Sequence, residues 1–163
     1  MLLLLKNYNE IDISQLLNVC RQSNTETGRR DYYHMEIAEQ LRFAEYDFCD
    51  YIRENLSKGL LLCAVWAPDG CYKSFLRLEQ YLDGYLIAGL ETALQERRKG
   101  YAEALIRTLL TTFSHTRIYS HIAHCNNIST HLHVKLGFEK IKDYAITLDG
   151  TVSNKMATYY ICT

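Results

Sequence analysis

The chain has 163 residues, enough for one domain that buries roughly two-thirds of its unfolded surface and too few for a second. A hydrophobic fraction of 48% and a charged fraction of 23% exclude an intrinsically disordered chain. With 18 basic and 19 acidic residues the net charge is -1, which excludes the basic surface of a nucleic-acid-binding domain, so any basic cluster needs a local explanation.

The opening MLLLLKNYNE has four leucines before Lys6, too short an apolar run for a membrane span or a secretory signal, and reads as a first strand at about 2–6. Asp12 is placed to cap a helix carrying Ile13, Leu16, Leu17 and Cys20 at the 3.6-residue period, with Gln15 as its capping-box partner. The polar stretch SNTETG reads as a loop at Gly28. A helical region at about 33–57 then puts Ile37, Leu41, Ala44, Phe48, Tyr51 or Ile52, and Leu56 on one side, as one helix or as two broken near Ala44, with Gly59 as the stop.

Strands follow at about 60–67, 72–82 and 85–91. Pro68, Asp69 and Gly70 make the first turn, and Asp83-Gly84 is a two-residue hairpin signature, so an antiparallel meander is expected. That register sets Leu82 opposite Tyr85, Glu79 opposite Ala88 and Leu76 opposite Glu91. Glu79 and Glu91 then project from opposite faces, unless a one-residue bulge reverses the phase.

The stretch LQERRKGYAEALIRTLL at 94–110 changes abruptly from basic to apolar. A helix over about 101–113 buries Ala102, Leu105, Ile106, Leu109, Leu110 and Phe113, and a strand at about 117–124 follows it. Strand, helix and strand make a crossover unit, which favours parallel pairing. A short helix at about 127–136 ends at Gly137, and strands at about 138–148 and 155–162 complete the sheet around a turn with Asp149 and Gly150.

The six cysteines form no CxxC pair and read as reduced thiols, which points to the cytoplasm. His131 and His133 are two apart on a helix and no HxxxH or HExxH pairing occurs, so no metal site is expected. Cys125 invites a Cys/His acyl-transfer reading, but no oriented third residue supports it, and it reads as an incidental thiol.

Arg97, Arg98, Lys99 and Gly100 stand directly before the amphipathic helix. The first N–H groups of a helix have no internal partners and, with the helix dipole, favour an anion; a glycine lets a phosphate approach the main chain. Arg97, Gly100 and Ala102 match the Arg/Gln-x-x-Gly-x-Gly/Ala pattern of the coenzyme A pyrophosphate loop, and the loop lies between a strand and a helix as that pattern requires. Downstream, NNISTHLHVKLGFEKI supplies Asn126, Ser129, Lys135, Gly137 and Phe138 at family spacing, with His133 where a tyrosine is usual. On these two motifs the chain resembles the GCN5-related N-acetyltransferase (GNAT) superfamily over about 60–146, and more loosely over the N-terminal helices.

The resemblance implies a single α/β domain over 1–163 with the acyl-CoA N-acyltransferase fold: a mixed sheet of six to seven strands, its central parallel strands splayed, flanked by about four helices. It implies acetyl-CoA as co-substrate, with Thr92, Ala93 and Leu94 facing pantetheine, Arg97, Arg98, Lys99, Gly100, Tyr101 and Ala102 holding pyrophosphate, and Asn126 and Ser129 approaching from the other side. It implies acetyl transfer to a primary amine, expected to belong to a small molecule, by direct attack in a ternary complex.

Such transfer needs a neutral amine, oxyanion stabilisation and a proton for the departing thiolate. Glu91, after the apolar YLIAGL, is the expected base, with a solvent-facing strand end as the other reading. Glu79 is its rival, and with Arg77 reads as a surface or substrate-pocket pair. His133 is either the acid, in place of the family's tyrosine, or a structural histidine. The acceptor pocket falls at about 27–36, with Arg29, Arg30, Asp31, Tyr32, Tyr33 and Glu36, and at Tyr144; a solvated loop is the alternative. A catalytically silent acyl-CoA sensor and a purely structural protein are the competing functions, and the tyrosines of MATYYICT suit either a dimerising strand or an edge strand protected by Lys155 and short length.

Overall fold

The computed structural model describes residues 1–163. Seven strands form one mixed sheet in the order β1-β2-β3-β4-β5-β9-β6. They are β1 (Leu2–Leu5), β2 (Leu61–Trp66), β3 (Ser74–Tyr81), β4 (Gly84–Thr92), β5 (Arg117–Ala123), β6 (Glu139–Lys142) and β9 (Met156–Cys162). A separate two-stranded hairpin joins β7 (Ala145–Ile146) to β8 (Val152–Ser153). Every pairing in the main sheet is antiparallel except β4 with β5, the crossover pair. The tyrosine-rich last strand lies inside the sheet, so the open edge at that end is β6.

Five α-helices cover the sheet: α1 (Ile13–Val19), α2 (Arg21–Asp31), α3 (Ile37–Ser57), α4 (Tyr101–Thr112) and α5 (Asn127–Lys135). On one face Leu16, Val19, Ile52 and Leu56 of α1 and α3 pack on Leu61, Cys63, Val65 and Phe75. On the other, Leu105, Ile106 and Leu109 of α4 are fully buried against Leu76, Leu78, Ile87 and Ile118. Their burial contributes roughly 1.5–3 kcal/mol per side chain.

Asp12 caps α1 by accepting the Gln15 N–H at 3.0 Å, as its position predicts. The expected loop SNTETG is instead the body of α2. Serine, asparagine, threonine and glycine are weak helix formers, and here tertiary packing overrides propensity. Gly28 is buried where α2 meets α3, and a Cβ there would lie 2.6 Å from the Gln40 carbonyl oxygen. The 33–57 region resolves into a single unbroken helix that begins at Ile37.

The β3–β4 hairpin differs by one residue from the expected turn. Tyr81 pairs with Gly84, and Leu82 and Asp83 form the loop, with Leu82 at φ 49°. Gly84 serves the sheet rather than the turn: a Cβ there would sit 2.0 Å from the Arg117 carbonyl oxygen, so only glycine lets β5 approach.

Candidate active site

The central parallel pair is short. β4 and β5 register only at Tyr85–Ile118, Leu86–Tyr119 and Ile87–Ser120. Beyond that, residues 88–92 and 121–123 diverge, leaving the β5-facing main chain of β4 without a strand partner in the middle of the sheet. A local bulge accompanies the divergence. Between Arg77–Ala88 and Phe75–Glu91, β4 advances one residue more than β3, with Gly89 at φ 60°. Such an extra residue bends a strand and increases its twist. Gly89 is consequently solvent-exposed although it belongs to a central strand.

The bulge also reverses the alternation of side chains. Glu91 projects from the same face as Phe75, Arg77 and Glu79, which corrects the opposite-face register expected from an unbroken hairpin. It is half-buried against α2, where it accepts a short hydrogen bond from the Ser23 hydroxyl. Its own carbonyl accepts from Ser74 Oγ at 2.6 Å, which fixes the backbone beneath it. Burial raises the proton affinity of the carboxyl, while the Ser23 hydrogen bonds, the Cys20 thiol and the Arg97 charge act in the opposite direction without cancelling it. A half-buried carboxyl with raised proton affinity at the mouth of an opened strand suits a general base.

Ser23 Oγ also lies 3.0 Å from the Cys20 carbonyl oxygen. One hydroxyl proton therefore has two acceptors. With Glu91 ionised, Ser23 donates to it; with Glu91 protonated, the carboxyl donates to Ser23, which donates to Cys20. The carboxyl is served in both states. No signal in the sequence marks Ser23, because its segment reads as a loop.

The basic glycine loop lies at the end of the opened strand. Arg98 (φ 62°) and Gly100 (φ 81°) are both left-handed, flanking Lys99, and Gly100 is the N-cap of α4. Such a sequence of conformations turns successive N–H groups toward one concavity, and the first turn of α4 adds its own free donors. A Cβ on Gly100 would meet nothing within 4 Å, so the space over the cradle is open. Arg97, Arg98 and Lys99 are exposed around it. Glu96 accepts from Lys99 at 2.7 Å and Lys73 at 3.3 Å, and Arg97 Nε donates to the Thr92 carbonyl at 3.2 Å, pinning the loop. Donors, charge and open space fit a diphosphate. The sequence gives the glycine and the charges but not the left-handed Arg98.

The other expected coenzyme residues are distributed around the split. Thr92 ends β4 with its hydroxyl 3.0 Å from Ser74 Oγ; the Ala93 N–H is spent on the Lys73 carbonyl at 3.0 Å; Leu94 is exposed. Tyr101 and Ala102 are half-buried in the first turn of α4. Across the gap, the Asn126 side chain caps α5 by accepting the Ser129 N–H at 3.1 Å. Lys135 of α5 bridges to Glu103 of α4 at 2.6 Å, tying the two walls together.

His133 is only 1% exposed, packs edge-on against Phe138 and has its Nδ1 2.8 Å from the Ser129 carbonyl oxygen. That contact places the proton on Nδ1 and leaves Nε2 without a partner. Burial lowers the ring's proton affinity, so the neutral form dominates near pH 7 and Nε2 carries no proton to deliver. In this geometry the ring anchors α5.

Of the expected acceptor loop, Arg29, Arg30, Asp31, Tyr33 and Glu36 are exposed, and Arg30 pairs with its neighbour Asp31 at 2.7 Å. Glu79, by contrast, is buried on the Glu91 face with Arg77. No helix is long and apolar enough to cross a membrane, and no cluster of metal-ligating side chains gathers in the chain.

A split parallel pair, an anion cradle at the following helix and a half-buried carboxyl between them gather at one end of β4. The family model described as Acetyltransferase (GNAT) family matches residues 20–138, and the chain belongs to that family. A search of curated proteins finds no match. Among solved structures, the PaiA N-acetyltransferase of Thermoplasma acidophilum in complex with coenzyme A is 13% identical with a TM-score of 0.63, covering 100% of this chain and 99% of that one. A GNAT-family acetyltransferase of Bacillus cereus is 18% identical with a TM-score of 0.61, covering 100% and 98%. The microcin C7 self-immunity acetyltransferase MccE, in complex with acetyl-CoA and AMP, is 14% identical with a TM-score of 0.67, covering 99% and 92%. At such identities the likeness concerns the fold, including its seven-stranded sheet and parallel pair.

Proposed function

We propose that the chain is an acetyl-CoA-dependent N-acetyltransferase that acylates the primary amine of a small molecule by direct attack in a ternary complex. The observation that carries this reading is the coincidence, at one end of β4, of the unpaired strand edge, the left-handed cradle of Arg98 and Gly100, and the half-buried Glu91. Acetyl-CoA supplies the activated acyl group as a thioester.

The residues of the chain have separate tasks. Main-chain N–H groups at 98–102, with Arg97, Arg98 and Lys99, hold the diphosphate; the free edge of 88–92 and the segment 92–94 receive the pantetheine arm. Asn126 and Ser129 border the opposite wall. Glu91 takes a proton from the amine nitrogen, directly or through one water, and Ser23 holds the carboxyl in line. The thiolate is protonated from solvent, because His133 holds its proton against the Ser129 carbonyl; the histidine's contribution is the position of α5. Six free thiols suit a reducing compartment, so the cytoplasm is the proposed location.

Calorimetric titration with acetyl-CoA tests the reading. The wild type is expected to bind at micromolar concentration, and Gly100→Asp, which strains the left-handed turn and places a carboxylate over the cradle, is expected to weaken binding by at least about 100-fold, two charge-assisted contacts of roughly 1.5–3 kcal/mol each being lost. Absence of wild-type binding would overturn both the transferase and a silent acyl-CoA sensor. Binding without thiol release against any amine would favour the sensor.

A further inference from the structure

One side chain on the Glu91 face has no part in the chemistry described so far. Arg77 lies on β3, two residues from Phe75, the partner of Glu91 across the ladder. Its guanidinium is held on three sides. Nε is 3.1 Å from Glu79 Oε1, off the line of its N–H, so the contact is an ion pair rather than a hydrogen bond. The Tyr51 ring lies under the guanidinium at 4.9 Å, and the Tyr51 hydroxyl donates to the same Glu79 oxygen at 3.0 Å. Gly89 lies on another side: a Cβ built there would be 3.5 Å from the guanidinium carbon, so the charge rests over the bulge where the sheet opens.

This is a strange place to keep an arginine for stability alone. Glu79 is almost fully buried at 6% exposure, whereas Arg77 keeps 21% of its side chain accessible. Glu79 offsets the charge from the inner, Nε side, and neither Nη atom donates a hydrogen bond to another group of the protein. A guanidinium held rigidly by an aromatic face and a buried carboxylate, with its outer fork free, is pre-organised to bind a planar anion by two parallel hydrogen bonds. Both Glu91 and Arg77 act on the buried Cys20 thiol, the first raising and the second lowering its proton affinity, so the two charges share one neighbourhood. Two residues along a strand correspond to about 7 Å, the scale of a small molecule that presents an amine at one end and a carboxylate near it.

Building on the proposed acetyl transfer, we infer that Arg77 is a specificity-determining residue that receives the carboxylate of the acceptor, and that the acceptor class is amino acids and short amino-carboxylic acids rather than polyamines or simple alkylamines. Glu79 and Tyr51 are positioning residues for that guanidinium. The free amine then faces Glu91 while its carboxylate is anchored over Gly89.

Product binding tests this without requiring turnover. The full chain, saturated with coenzyme A, is titrated with a panel of N-acetylamino acids and the matching N-acetylalkylamines that lack only the carboxylate, by ligand-observed NMR. The wild type is expected to bind at least one carboxylate-bearing member roughly 10- to 100-fold more tightly than its neutral match, the range for a hydrogen bond to a charged group. Arg77→Gln is expected to erase that ratio while leaving coenzyme A affinity unchanged. Because Arg77→Gln strands the buried Glu79 charge, the paired variant Arg77→Gln/Glu79→Gln is measured beside it, and it removes both charges together. If no anionic member is preferred, or if the preference survives in the paired variant, the assignment of Arg77 is overturned. Failure of coenzyme A to bind at all is read from its own isotherm and overturns the transferase proposal instead.

Discussion

Ser23→Ala is the substitution that most directly questions the role of Glu91. With the carboxylate ionised, the Ser23 hydroxyl gives it a charge-assisted hydrogen bond of roughly 1.5–3 kcal/mol; with the carboxyl protonated, the Glu91–Ser23–Cys20 chain offers a neutral bond of about 1 kcal/mol. Ser23 therefore favours the ionised form by about 0.5–2 kcal/mol. Since 1.36 kcal/mol is one pH unit, Ser23→Ala should raise the Glu91 titration point by about one unit. Carboxyl 13C NMR with Glu91→Gln as the assignment control reads this without substrate. In a pH–rate profile, the acid limb of kcat/KM should move upward by the same amount, and Glu91→Gln should lose about 100- to 10,000-fold in rate. Linkage gives a second check. A carboxyl whose folded proton affinity is raised contributes stability that is fully present below its unfolded titration point and is lost as pH rises through the folded one. Glu91→Gln should therefore gain thermal stability over the wild type at pH 8 and show no such gain at pH 4. An unmoved Glu91 titration in Ser23→Ala, or an acid limb that persists in Glu91→Gln, would refute the reasoning.

Two further outcomes follow from packing. Gly84→Ala places a methyl group 2.0 Å from the Arg117 carbonyl oxygen, so β4 and β5 must separate where they pair; a loss of at least about 1–3 kcal/mol is expected in chemical denaturation, and an unchanged midpoint would contradict the close approach. His133→Phe removes the Nδ1 contact to Ser129 but keeps an aromatic ring against Phe138. Acetyl-CoA affinity should change by less than about fivefold and the basic limb of the pH–rate profile should stay in place; disappearance of that limb would make the histidine an acid after all.

How much of this was legible in the residues depends on what each element needed. The α4 stripe and its basic glycine loop were readable, because an amphipathic period and a helix-terminal anion site are both local properties. The parallel β4–β5 pair followed from the crossover. The α2 helix was not readable: its polar composition argues for a loop, and what holds it helical is Gly28 against α3, a contact between distant residues. The hairpin glycine signals conformational freedom in the sequence, whereas its requirement is steric, set by the Arg117 carbonyl. The bulge left only one sign, an isolated Gly89 inside an apolar strand, yet that single residue decides which face Glu91 occupies and therefore which side chains can serve it.

The divergence of β4 from β5 has a consequence for the behaviour of the chain in a crowded solution. An unpaired strand edge is adhesive and, at the rim of a sheet, invites another molecule to add a strand. Here the adhesive main chain is enclosed between two strands of the same sheet, and the opening beyond Ile87 and Ser120 is only a few residues long. A slender extended guest can lie along it, whereas a foreign strand would need a continuous ladder that the gap is too short to give. The protein thus keeps hydrogen-bonding capacity available at its centre, while its outer edge at β6 carries Lys140, Lys142 and an irregular register with β9 that discourage fibrous assembly.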